Sequence, residues 1–218
     1  MSWTELVGDP AVLGRRVDEV TGRLAAAPGR AAVPPRTAAS LTHQALVARL
    51  LAPLVGALLT TGALPVCPPE RVHLHLRGGD PVPLAFTAPR DVPCGDPAAG
   101  AAALAGHWLE PVVAPLAAAV QRHRPVSPRV LAGNVVSALA GAVALTGAAR
   151  RDLRRPAAAL LDALLVTAPL AGTAVRRPGG RLVRRSCCLL ARLPGAGTCG
   201  DCVLNDPARP RRAVGTDA

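Results

Sequence analysis

The sequence predicts a mainly helical chain of the α+β class: a helical body, one β-hairpin and a small C-terminal module. Three observations carry this. Apolar residues recur at helical spacing over most of the first 170 positions. One stretch, at about 72–86, alternates apolar and polar residues instead. Four cysteines then crowd into 16 residues near the C-terminus, Cys187, Cys188, Cys199 and Cys202. The expected division is a body over 1–177, a cysteine module over 178–206 and a disordered basic tail over 207–218.

The elements follow in order. Asp9-Pro10 supplies a capping residue and a proline for the first helical position. Leu13, Val17, Val20 and Leu24 then share a face until Pro28-Gly29. A second helix is expected from Thr37 to Thr61, with Leu41, Leu46, Leu50, Leu54 and Leu58 on one side and Gly62 as its stop. Pro53 is expected to kink or split it. Val72, Leu74 and Leu76 alternate with His73, His75 and Arg77, and Val82, Leu84 and Phe86 resume the pattern beyond a Gly78-Gly79-Asp80-Pro81 turn. Pro81 and Pro83 mark that second strand as an edge. Residues 87–97 read as a proline-rich loop. Further helices are expected at about 98–121, 128–148 (capped by Ser127) and 152–170, with a turn at Pro178-Gly179-Gly180.

Composition narrows the function. The net charge is +11, all 25 basic residues are Arg, and 13 of them lie between Arg150 and Arg212. A basic face suits nucleic acid, an anionic membrane, an acidic protein or an anionic small molecule, or is simply solvated. The only aromatics are Trp3, Phe86 and Trp108, so the expected core is Leu, Val and Ala, and base-stacking platforms are excluded. No basic, apolar signal pattern opens the chain. Val130–Ala149 is uncharged and long enough to span a bilayer. Its Asn134, Ser137, Thr146 and three glycines favour a buried helix, so no stable membrane insertion is expected and the chain reads as cytoplasmic. A nucleophile elbow, a phosphate-cradling Gly-Lys loop and a dinucleotide fingerprint are all missing. Any electron donor must therefore be external.

The chemistry lies in the cysteines. In a reducing compartment, clustered cysteines favour a metal site over disulfides. Pro194-Gly195-Ala196-Gly197 can fold the chain back, and Gly200 permits a tight Cys199–Cys202 knuckle. Adjacent cysteines on an extended chain point to opposite sides, which suits one metal ion poorly. A [2Fe–2S] cluster relaxes that demand by spreading four thiolates over two irons. Zinc and a redox-active or coincidental set remain open on spacing alone. Arg181, Arg184, Arg185 and Arg192 lie close to the cysteines. Such cations would favour the reduced form of a cluster carrying about −2 when oxidised and about −3 when reduced; alternatively they form a solvated basic strand.

Arg184-Arg185-Ser186-Cys187-Cys188, Pro194-Gly195-Ala196-Gly197 and Cys199-Gly200-Asp201-Cys202 together resemble the C-terminal signature of FhuF-type ferric-siderophore (ferric hydroxamate) reductases. Leu131–Leu139, with the sequence Leu-Ala-Gly-Asn-Val-Val-Ser-Ala-Leu, is similar to a helical segment of that family, whereas Leu190 and Ala191 replace aromatics common in it. The resemblance implies a [2Fe–2S] cluster on Cys187, Cys188, Cys199 and Cys202. It implies one-electron reduction of a ferric siderophore and release of ferrous iron, with electrons from a ferredoxin or reductase. It implies no catalytic side chain beyond the cluster, and no nucleic-acid partner. The alternative is a non-enzymatic zinc- or cluster-bearing module that binds nucleic acid, or a siderophore-binding accessory protein.

Elsewhere the residues read blandly. Cys67 and Cys94 have no chelating spacing. His73 and His75 share a strand face without a third ligand, and His43, His107 and His123 are expected at the surface or in caps. Asn134 reads as a buried amide bonded to a neighbouring loop, or as part of a ligand site. Glu110 and Asp162 have no carboxylate partner at acid–base spacing.

Overall fold

The computed structural model describes residues 1–29, 32–75, 83–206 and 208. The fold is mainly helical with short antiparallel strand pairs. The chain opens on a helix that sequence reading missed, α1 (Trp3–Gly8). Ser2 and Glu5 cap it reciprocally: the Glu5 N–H donates to Ser2 Oγ at 3.2 Å and the Ser2 N–H to Glu5 Oε2 at 2.6 Å. Helix α2 (Pro10–Ala25) starts as expected, with the Asp9 carboxylate accepting from Ala11 N–H at 2.8 Å.

Helix α3 (Pro35–Thr61) is the central strut. It runs unbroken past Pro53, so the expected split does not occur. Gly62 ends it at φ 72°, a left-handed conformation open to glycine, with its N–H bonded to Leu58 O. Leu46, Leu50, Leu51, Leu54 and Val55 are all buried, because this helix is packed on several sides and not along one stripe.

Strand β1 (Ala63–Val66) pairs antiparallel with β4 (Arg90–Pro93), and β2 (Val72–Leu74) with β3 (Leu84–Phe86). The second pair is the expected hairpin, in register Val72↔Phe86, His73↔Ala85, Leu74↔Leu84. Its turn, including Leu76 to Val82, lies outside the described residues. The first pair falls partly in the stretch read as loop. Pro65 and Pro93 hid it, yet a two-stranded ribbon has only edges and tolerates proline there.

Helices α4 (Pro97–Leu104) and α5 (Ala114–His123) flank a π-helical segment, Ala105–Val113, which absorbs Pro111. Helix α6 (Pro128–Ala149) lies along α3, with Leu131, Val135, Val136 and Leu139 buried between. Ser127 precedes it without the expected side-chain cap. Helix α7 (Arg154–Val166) is shorter than expected, and a 3₁₀ turn, Arg151–Leu153, takes its first residues. A further hairpin, β5 (Ala174–Arg176) with β6 (Leu182–Arg184), turns at Pro178–Gly180 and was not expected. There are thus three short antiparallel pairs among the described residues instead of one.

The core is mostly Leu, Val and Ala, but both tryptophans are inside it. Trp3 and Trp108 are fully buried, their indole N–H groups bonded to Val112 O and Pro65 O, each at 3.0 Å. Phe86 packs edge-on against Trp108 with ring centroids 5.3 Å apart. Three helices, Pro35–Thr61, Pro97–His123 and Pro128–Ala149, are long and apolar enough to cross a membrane by length and composition. In this fold their apolar faces form much of the shared interior.

Candidate metal centre

The C-terminal module is built as a folded-back strap. Strand β6 delivers Arg184, whose N–H donates to Asp201 O at 2.9 Å, while Arg185 N–H donates to Thr173 O at 2.9 Å. Beyond Cys188, Leu189 takes a left-handed conformation (φ 73°) and turns the chain into a 3₁₀ turn, Leu190–Arg192. The turn expected at 194–197 forms, with Gly195 and Gly197 both at positive φ. Cys202 N–H bonds back to Cys199 O at 3.1 Å, closing the knuckle. Arg177 and Asp206 clasp the two ends through a two-pronged ion pair, 3.1 Å and 2.6 Å.

This folding brings all four sequence-predicted cysteines together as two pairs. Cys188 Sγ lies 3.6 Å from Cys199 Sγ, and Cys202 Sγ lies 4.0 Å from Cys187 Sγ. Each pair takes one cysteine from either half, so the adjacent Cys187 and Cys188 serve different pairs. Among the described residues no three His, Cys, Asp or Glu side chains gather as a site for a single ion. Four soft donors set two by two form a donor set that fits a two-iron cluster.

The pairs differ in surroundings. Leu189 N–H donates to Cys187 Sγ at 3.3 Å, and Leu204 N–H to Cys202 Sγ at 3.4 Å. The other pair meets a cation, for Arg184 Nη2 donates to Cys199 Sγ at 2.7 Å. The hydrogen bond with Cys199 holds the Cys188 thiol down to about 5, helped by the Leu190 N–H and Arg184. Cys199, keeping the shared proton, is pushed up. Burial pushes up Cys187 as well.

Arg184 is the structural surprise. Sequence reading left it between a tuning cation and a solvated strand; its side chain is completely buried. Burial opposes its charge, but Asp201 and the Cys188 and Cys199 sulfurs outweigh that and raise its pKa. Its Nε lies 2.9 Å from Asp201 Oδ2, an ion pair without an aligned hydrogen bond. Its Nη1 reaches Asn134 Oδ1 at 3.4 Å. Asn134 Nδ2 in turn donates to Ser40 O at 3.0 Å and Ser40 Oγ at 3.1 Å, and Ser40 Oγ donates to Cys188 O at 2.8 Å. Asn134 is buried as expected, but its partners lie on helix α3 and strand β6, not on a loop. Next to it, Gly133 lets the module sit close: a Cβ there would stand 2.1 Å from Ser186 Oγ. Ser40 was not singled out in the sequence, and Gly133 and Asp201 stood there only within the segments that carry the resemblance, because their role depends on helix–module approach and on no local spacing.

The remaining candidates stay apart. Arg181, Arg185 and Arg192 are exposed. Cys67 and Cys94 are free thiols in and beside the β1–β4 region, both pushed up by burial. His73 is half-buried in β2 and His75 is exposed. His43, expected at the surface, is instead fully buried on α3 with neither ring nitrogen partnered, and burial lowers its pKa to about 4. His107 and His123 are half-buried, and His123 packs against Gly14. Glu110 is exposed, and Asp162 forms an ion pair with Arg176.

Among curated proteins, none matches the chain. The family model of the FhuF 2Fe-2S C-terminal domain matches residues 184–204. That span begins at the buried arginine and contains all four paired cysteines, and the domain implies a [2Fe–2S] cluster. Residues 184–204 of the C-terminal module are therefore similar to the FhuF 2Fe-2S C-terminal domain, a match confined to the strap that carries the four cysteines.

Proposed function

We propose that the chain is a cytoplasmic ferric-siderophore reductase whose [2Fe–2S] cluster is held by Cys187, Cys188, Cys199 and Cys202. The observation that carries the reading is the pairing of the thiols. Cys188 and Cys199 would hold one iron, and Cys187 and Cys202 the other. When bound, the cluster supplies one electron, which converts Fe(III) in the chelate to Fe(II) and leaves the cluster oxidised for refilling by an external donor such as a ferredoxin. The chain's own residues do the rest. Arg184 places a fixed positive charge against Cys199 and favours the more negative, reduced state. Leu189 and Leu204 N–H groups stabilise sulfur charge on the other pair. Ser40, Asn134 and Gly133 fix the module against α3 and α6.

Hard oxygen donors in a siderophore prefer Fe(III), so one electron loosens the complex without breaking a ligand bond. This chemistry needs no acid, base or nucleophile, in keeping with a site of sulfur, arginine and backbone. The test is anaerobic preparation followed by iron and sulfide analysis. About two of each per chain, with the EPR signal of a one-electron-reduced centre, are expected. The reduced protein is then mixed with a ferric siderophore, and ferrous iron is expected in a chelator trap as the cluster reoxidises. Stoichiometric zinc without acid-labile sulfide overturns the reading.

A further inference from the structure

We infer that the open cavity beside Cys187 is the docking site for an anionic, oxygen-rich ferric chelate, gripped by Arg185 and Arg192. The inference deepens the reductase reading and rests on it. The cavity has a volume of about 670 Å³ and is lined by Arg185, Cys187, Leu189, Arg192, Leu204 and Asp206 among others. Small-molecule sites fall in the range of roughly 300–1,000 Å³. Cys187 is the one cysteine of the four on its wall. A chelate there would lie against the Cys187–Cys202 side of the cluster, so the transfer path is short.

The charges select the ligand. Asp206 also lines the cavity, but both its oxygens are engaged by Arg177. Arg185 and Arg192 are exposed, and among the described residues neither pairs with a carboxylate. Two unspent guanidinium groups therefore face a cavity whose one acid among the described residues is neutralised. Their planar donor forks match carboxylate, hydroxamate or catecholate oxygens. Leu189 and Leu204 give an apolar wall for the carbon framework of a chelate, and Leu204 is 45% exposed among the described residues. A protein electron donor would need a broad face instead of a concave pocket.

The experiment separates binding from electron transfer. Gallium(III) has the size and charge of Fe(III) but accepts no electron under these conditions. The oxidised, cluster-loaded full chain is titrated by calorimetry with a gallium(III) tris-hydroxamate bearing free carboxylates, and with the same complex amidated. The carboxylate form is expected to bind about tenfold tighter, equivalent to about 1.4 kcal/mol. The double variant Arg185→Gln/Arg192→Gln is expected to erase that difference while its cluster absorption spectrum stays unchanged. Both side chains are exposed, so the fold is not at stake. Absence of binding, or equal binding by the variant, overturns the cavity assignment. Reoxidation of the reduced wild-type protein by the matching ferric complex is read separately. If it proceeds with the same half-saturation in the variant, the reductase reading stands and the docking site fails. If it never proceeds, the reductase reading fails whatever the gallium result. If the variant loses only its rate of reduction by a ferredoxin, the cavity is reassigned to the donor.

Discussion

In the helical body, α3 and α6 bury leucine after leucine: Leu46, Leu50, Leu54, Leu131 and Leu139 all lie within 2% of full burial. In the module at 178–206, the buried apolar side chains are Val183, Cys188, Leu193 and Cys202. Each fully buried leucine stabilises a fold by about 1.5–3 kcal/mol, so the body has ample apolar driving force and the module has very little. Half of the module's buried apolar set is sulfur. What holds it is polar and specific: Arg184 on Cys199, Asp201 and Asn134, Ser40 on the Cys188 carbonyl, and Arg177 on Asp206. A segment this small without a core needs a metal or an equivalent staple. The body is thus expected to fold by burial, and the module by ligation.

The strongest way to break that contrast is to remove the metal. Ser at Cys187, Cys188, Cys199 or Cys202 is expected to lower bound iron to background. Residues 184–204 then become sensitive to limited proteolysis while the body stays resistant. Ser at Cys67 or Cys94 is expected to leave iron content unchanged, because neither thiol takes part in the two sulfur pairs. A module that stays protected in hydrogen exchange without iron would show that it folds by burial after all.

Two adjacent arginines sharpen the comparison next. Arg184→Gln breaks a buried ion pair, and such losses cost about 3–5 kcal/mol. It also removes the charged donor on Cys199, so the midpoint potential is expected to fall by tens of millivolts, with 59 mV equivalent to about 1.4 kcal/mol for one electron. Arg185→Gln is expected to change stability by under about 0.5 kcal/mol and the potential only slightly, since its charge is exposed and screened. Urea melts and redox titrations of both variants check this. Equal effects at the two positions would mean that Arg184 acts only as one more surface charge.

The body carries its own weak point in His43. Its pKa in the fold is about 4, against about 6.5 for a free side chain, and burial is the cause. The unfolded chain therefore binds a proton that the folded chain refuses. The resulting stability is intact above pH 6.5 and is lost as pH falls from 6.5 towards 4, by about 3 kcal/mol at about 1.4 kcal/mol per unit. His123, lowered in the same direction by burial, adds a smaller effect of the same sign. His43→Leu is expected to remove most of the difference between urea melts at pH 7.5 and pH 4.5. An unchanged difference would place the acid sensitivity elsewhere.

These contrasts also explain what sequence pattern could and could not reveal. The long helices were legible because burial leaves a periodic trace, as in Leu46, Leu50 and Leu54. The cysteine set was legible because ligation leaves a spacing. The strand pairs β1–β4 and β5–β6 were not, since three or four residues with prolines leave no period to read. The split expected at Pro53 did not occur: a helix packed on several sides stays continuous despite one lost hydrogen bond. Arg184 and Arg185 are indistinguishable in sequence, yet Arg184 ends β6 fully buried while Arg185, just beyond the strand, is exposed. Which one is buried follows from where β6 meets α6, a tertiary fact.

That meeting point gives the smallest expected effect and the most specific one. Gly133 faces Ser186 so closely that a Cβ would fall 2.1 Å from Ser186 Oγ and 3.5 Å from Ser186 Cβ. The clash is therefore with the hydroxyl and not with the backbone. Gly133→Ala is expected to cost about 1–3 kcal/mol as an overpacking change, felt as faster cluster loss and not as a melted body. Ser186 Oγ is buried without a hydrogen-bond partner, so Ser186→Ala alone is expected to be close to neutral. In the double variant the remaining contact is an ordinary 3.5 Å, and the cost of Gly133→Ala is expected to shrink by more than half. Cluster-loss rates under a chelator for the four proteins of this cycle measure the coupling. Strict additivity would mean that α6 and the module do not meet through these two residues.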